Sequence, residues 1–250
     1  MRRQGPGRGR SGIALAAFCA GGLVLVAALA ALGTWQVQRR AWKHDLVARV
    51  EARIHAEPVE APGPATWDGL TPEADAYRRV RATGRLRHES ETLVQAVTDL
   101  GAGYWVMTPL ERTDGTTLLV NRGFVPTDRR DPATRSEGQG AGPVTLTGLL
   151  RLSEPGGAFL RTNDAGAGRW YSRDVAAIAQ ARGLARAAPY FIDADATPNP
   201  GGWPVGGLTI VSFPDNHLVY AITWYVLALM VAAALAYTLR DARRAGRPSH

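Results

Sequence analysis

Sulfur chemistry is almost absent from this chain. It holds one cysteine, Cys19, and that residue lies inside an uncharged apolar run. Without a second thiol there is no disulfide framework and no Cys-x-x-Cys pair, which removes thiol redox exchange and thiolate copper binding from the functions open to it. Catalytic signatures are missing too: no G-x-S-x-G, H-E-x-x-H or P-loop occurs. A membrane-anchored hydrolase therefore lacks a nucleophile–base pair. Charge is absent from two long stretches, 13–32 and 218–239. At 1.5 Å rise per residue, a helix of about twenty residues reaches about 30 Å, the thickness of a hydrocarbon core.

The net charge of +7 is confined to the ends. Residues 1–12 carry four arginines and no acid, and residues 240–250 carry four arginines against one aspartate, Asp241. Between them 21 basic and 21 acidic residues cancel. A nucleic-acid surface would gather its cations on one folded face, so no nucleic-acid partner is expected. Basic tails beside apolar spans instead follow the positive-inside rule. The expected layout is a basic cytoplasmic tail at 1–12, a first span at 13–34 and an extracytoplasmic β-rich domain at 35–216. A second span at 217–239 and a second basic cytoplasmic tail at 240–250 complete it. Arg39, Arg40 and Lys43 fall on the outer side of the first span, against the rule. A cleaved signal peptide is the competing reading of the first span, with Ala28-Leu29-Ala30 in cleavage-site form, but its apolar run exceeds a usual signal core.

The middle of the chain reads as mainly antiparallel β. Two hairpins are predicted, one from 77–88 and 91–98, the other from 103–112 and 116–126 around Asp114-Gly115. Further strands are predicted at 144–152, 189–195 and 207–212. A helix spans 172–184 with Ser172 as its N-cap. The Pro- and Ala-rich stretch 56–76 reads as a linker, and 131–143 as a polar loop. The fold class is thus two transmembrane helices flanking a mainly antiparallel β (α+β) domain.

Candidate sites are few. Gly7 to Gly12 matches G-x-G-x-x-G, but no strand precedes it and it sits in the arginine-rich tail, so the dinucleotide reading fails. His88, Glu89 and Glu91 are close in sequence, yet in a strand His88 would face away from both acids. Arg122, in Asn121-Arg122-Gly123 after a strand, presents either a guanidinium for a carboxylate ligand or a polar anchor for the strand end. At the head of the second span, His217, Tyr220, Trp224 and Ala228 share one helical stripe. The stripe reads as a capped, solvated helix start with an interfacial aromatic belt. A sharper reading makes His217 an axial imidazole for haem iron, the haem ring lying flat against the aromatic stripe, although the belt explains the aromatics without it.

Four blocks carry a resemblance. LGTWQVQRRAWK (32–43), TPLERTDGTTLLVNRGFVP (108–126), GRWYSRD (168–174) and NHLVYAITWY (216–225) are similar, in order and spacing, to signature blocks of the Surfeit locus protein family. These are assembly factors for cytochrome c oxidase. The resemblance implies a non-enzymatic factor in the cell (inner) membrane, acting when haem a enters the oxidase large catalytic subunit. Its implied partners are that subunit, other oxidase assembly factors and the lipid bilayer. It implies haem a as a transiently held cofactor with His217 on the iron, and it points to Trp35, Trp42, Arg122 and Trp224 as further contacts. His44 is the nearest second histidine, and Arg39 or Arg40 stands where haem propionates would lie. A scaffold that stabilises an oxidase intermediate without touching haem is the other reading.

Overall fold

The computed structural model describes residues 8–158, 160–209 and 215–245. They divide into two compact units, one from residues 1–48 with 212–250 and one from 49–211. The Gly7–Gly12 motif, most of the basic tails and the second half of the strand expected at 207–212 lie wholly or partly outside the described residues. Gly207, Leu208 and Thr209 form no strand.

The helical unit is an antiparallel pair. Helix α1 (Arg8–Ile54) has 47 residues and α4 (His217–Ala245) has 29. Both are long and apolar enough to cross a membrane. At about 1.5 Å per residue α1 is roughly 70 Å long, more than twice a hydrocarbon core, so it runs well beyond its apolar half. Its apolar side chains point outward: Val24 is 69 % exposed and Leu229 on α4 is 70 %. In water that exposure would be costly, and in lipid it is the favoured state. The seam between the two helices follows heptad spacing along α4 and meets glycines on α1. Ala221, Ala228 and Leu235 are buried on α4. Gly22 lies under Leu235 and Gly33 under the Tyr225 ring, each so close that a Cβ would collide. Thr34 Oγ1 lies 3.0 Å from Tyr225 Oη. Close backbone approach through glycine is how apolar helices associate where burial from water offers no drive.

The other unit is a small barrel. Its strands are β1 (Val59–Glu60), β2 (Arg79–Leu86), β3 (Thr92–Thr98), β4 (Gly101–Arg112), β5 (Thr117–Pro126), β6 (Pro143–Leu152) and β7 (Ala187–Ala194). They run in the order β1-β2-β6-β7-β5-β4-β3, and a further β2–β4 pairing closes five of them into a ring. Most pairs are antiparallel, while β1–β2 and β5–β7 are parallel. Period-2 alternation sorts each strand's side chains. Val80, Ala82, Leu118, Val120, Leu150, Tyr190 and Ile192 fill the barrel. Leu119 and Phe191, on the opposite faces, pack with Val94, Met107, Trp170 and Ile178 beneath helix α3 (Val175–Ala181).

Four sequence expectations need correction. The β4–β5 hairpin forms around Asp114-Gly115, but β2 and β3 do not pair with each other. Residues 88–90 make a 3-10 turn, β2 joins β6 and β4, and β3 joins β4 alone. The α3 cap is Asp174, which accepts from Ala177 N–H, whereas Ser172 Oγ accepts from Gly157 N–H and Asn163 Nδ2. Residues 56–76 are no slack linker. They contain β1, a 3-10 turn and α2 (Pro72–Asp75), and the Pro62 carbonyl is held by Tyr190 Oη at 2.8 Å and Trp67 Nε1 at 3.1 Å. The 131–143 loop also folds inward, burying Arg135 against Glu91.

Candidate functional site at the head of the second apolar helix

His217 is the first residue of α4. The acceptor that turns the chain into this helix is Asp215, whose Oδ1 takes the His217 backbone N–H at 3.0 Å. Asn216 supplies its carbonyl to Tyr220 N–H. The half-buried imidazole places Nδ1 2.7 Å from the amide oxygen of Gln36 on α1. An amide oxygen can only accept, so Nδ1 carries the proton and Nε2 keeps its lone pair. Nε2 has no hydrogen-bond partner among the described residues. This is the arrangement of a metal-binding histidine, one nitrogen anchored through N–H to a second group and the other free to donate. The donor set at His217 therefore fits haem iron, with a single protein ligand.

The surroundings are mixed. Trp224 is half-buried along the seam, Tyr220 is 54 % exposed, and Ala228 is consumed by packing against α1. The stripe is thus partly a helix–helix contact and partly an open face. Trp35 and Trp42 share a face of α1 as their spacing predicts, but both are exposed, and neither faces the seam that holds Gln36. Arg39 lies over the Trp42 ring at 4.0 Å. Arg40 lies 3.3 Å from Asp215, and His44 Nε2 is 2.8 Å from the same carboxylate. His44 thereby spends one nitrogen on Asp215, whose pKa is held below the usual carboxylate value chiefly by that bond. Among the described residues no three His, Cys, Asp or Glu side chains gather as a metal cage.

Arg122 belongs to the barrel unit. It is two residues past Val120 in the middle of β5, so it points to the same side as Val120, at the break in register between the Asn121 and Phe124 pairings with β4. The next residue, Gly123, has φ 128°, and a Cβ there would sit 2.1 Å from the Val205 carbonyl. Only glycine permits that approach. Arg122 is 3 % exposed and donates to the Gly138 carbonyl, to Asn199 Oδ1 at 2.9 Å and to His88 Nδ1 at 3.3 Å. Nothing in the sequence marks Asn199 or Asp215 as a partner. Gln36 was visible as a polar residue just past an apolar run, but nothing in the sequence pointed it at His217, 181 positions away.

These features define a class: a membrane protein with two apolar helices, a small closed β domain between them in sequence, and a histidine leading the second helix. The SURF1 family model matches residues 23–229. Surfeit locus protein 1 of Rattus norvegicus is 41 % identical over 212 residues, covering 78 % of this chain and 67 % of the relative. The Homo sapiens protein of that name is 40 % identical over 214 residues, 79 % of this chain and 69 % of its own. That of Takifugu rubripes is 36 % identical, over 82 % of this chain and 90 % of its own. The chain belongs to the SURF1 family.

Proposed function

We propose that this chain is a non-enzymatic assembly factor for cytochrome c oxidase, acting when haem a enters the large catalytic subunit and holding haem a transiently through His217. Family membership supports the oxidase-assembly part, since the family is known for that role. The observation that carries the haem part is the His217 ring, anchored at Nδ1 by Gln36 and unpartnered at Nε2. Haem a, when bound, supplies an iron able to take an imidazole nitrogen. His217 would occupy that position, Tyr220 and Trp224 would offer rings beside it, and Trp35 would stand at the neighbouring interface. One imidazole suits a carrier, because a factor that must release its cargo gains nothing from a closed two-histidine site. The basic tails support an orientation with both termini cytoplasmic and the barrel outside the cell (inner) membrane. The oxidase large subunit and other assembly factors are the expected partners.

The scaffold reading has one observation in its favour: Ala228, at the base of the aromatic stripe, is already used in the α1–α4 seam. A deletion strain separates these ideas from unrelated roles. Loss of oxidase activity together with loss of the haem a spectrum from the large subunit supports the proposal. A normal haem a spectrum in assembled oxidase would overturn the insertion step.

A further inference from the structure

We propose that the mouth of the barrel beside Arg122 is a binding site for a small carboxylate with a short apolar body. One buried guanidinium lacks a direct ion pair. Two arginines are almost completely buried in the barrel unit, Arg122 and Arg135. Arg135 has its counter-ion, gripping Glu91 with both terminal nitrogens. Arg122 makes no direct ion pair: its acceptors are a carbonyl, an amide oxygen and a neutral imidazole nitrogen, its Nε is buried without any partner, and the acid whose charge reaches it, Glu91, is already gripped by Arg135. Burial pushes its pKa down to about 10, still well above neutral pH, so the charge stays. A buried cation without a directly paired anion is costly, and proteins pair such charges or bind something that does.

The room for an anion is present. Arg122 lines a cleft of about 260 Å³ at the barrel end, walled by Leu86, Val144, Leu146 and Pro198. Barrel mouths are common ligand sites, and drug-sized ligands occupy about 300 Å³ or more, so this one takes something small. His88 also lines it. Its Nε2–H donates to the Gly140 carbonyl and its Nδ1 accepts from Arg122, so it is neutral and adds no charge. Asp195 lines the cleft too, but its Oδ1 is taken by Thr197 N–H and it forms no ion pair with Arg122 among the described residues. Arg122 brings one buried positive charge to the cleft, and the half-buried Asp195 carboxylate keeps its own negative charge there. A monoanionic carboxylate can pair with the guanidinium while adding the least negative charge, whereas a phosphate monoester, at about −1.5 to −2, would set more of it beside Asp195. The apolar wall selects a short hydrocarbon body.

The inference rests on the barrel alone and stands whether or not His217 binds haem. The test uses the full chain in detergent, titrated with sodium propionate by calorimetry, with chloride and inorganic phosphate as controls. One propionate per chain is expected, with affinity falling roughly ten- to hundredfold in Arg122→Gln, the loss of one charge-assisted contact. That variant also gives up three loop contacts, so a second one guards the test. Gly140 lines the cleft, and a Cβ there meets open space. Gly140→Glu should fold normally, place its own carboxylate at the mouth and abolish propionate binding. Displacement of propionate by metal-free deuteroporphyrin would identify the source as a porphyrin propionate arm, and failure to displace would identify a free small acid. No saturable binding to the wild type, equal binding to folded Gly140→Glu, or preference for phosphate would overturn the proposal.

Discussion

Replacing Gln36 by leucine removes the acceptor that orients His217 and leaves the imidazole itself in place. The contact is 2.7 Å long, half-buried, and joins α1 to α4. Loss of such an outer partner typically weakens metal binding ten- to hundredfold, or about 1.4–2.7 kcal/mol. The hairpin of helices also loses one hydrogen bond, worth about 0.5–1.5 kcal/mol. It keeps the Thr34–Tyr225 contact and the Arg40 and His44 pairings to Asp215, so the helices should remain together. Gln36→Glu works in the opposite direction, because a carboxylate accepts the Nδ1 proton more strongly and makes Nε2 a better donor. The assay is absorption titration of the detergent-purified protein with haem a. Leucine should raise the dissociation constant ten- to hundredfold, and glutamate should hold it level or lower it. If the leucine variant binds within twofold of the wild type, the Gln36–His217 contact plays no part in ligation and the reasoning fails.

Two further predictions concern the barrel. Asp193 is buried and takes Arg151, Arg173 and Asn121 together. Asp193→Asn would strand two guanidinium groups on Glu154 and cost about 3–5 kcal/mol. For a unit of this size that lowers Tm by about 6–20 °C, measurable by circular dichroism, and a shift under 3 °C would refute the buried-network account. His88 has its pKa lowered, first by burial and then by the Arg122 charge. Its native state therefore binds a proton later than the unfolded chain, whose histidine titrates near 6.5. Stability should be intact above about pH 6.5 and fall as pH drops below it, and His88→Gln should flatten that slope. An unchanged slope in the variant would contradict it.

What was legible in the sequence was whatever depended on neighbours. The β4–β5 hairpin forms where Asp114-Gly115 makes a tight turn, and the two apolar runs could only be long helices. The same local rule misled at β2 and β3. Residues 77–88 and 91–98 look like hairpin arms, yet β2 finds its partner in β6, and Thr83 meets Thr145 across that pair. Ser172 is a good cap by residue type, and so is Asp174. The choice was made by Gly157 and Asn163, which claim the serine hydroxyl. Residues 56–76 read as slack because Pro and Ala give no periodicity, while their order comes from Tyr190 and Trp67 binding the Pro62 carbonyl. At the proposed site, His217 stands out in the sequence by its place at the head of an apolar helix. Its anchor Gln36, and the burial of Arg122 without a direct ion pair, depend on residues tens to hundreds of positions away, which no local pattern encodes.

The most direct measurement is the haem a content of the factor purified from cells that make haem a, wild type beside His217→Ala. The wild type should carry haem a with an absorption spectrum of an imidazole-ligated iron, and the alanine variant, equally abundant and folded, should carry almost none. Equal haem in both preparations would contradict His217 as the ligand.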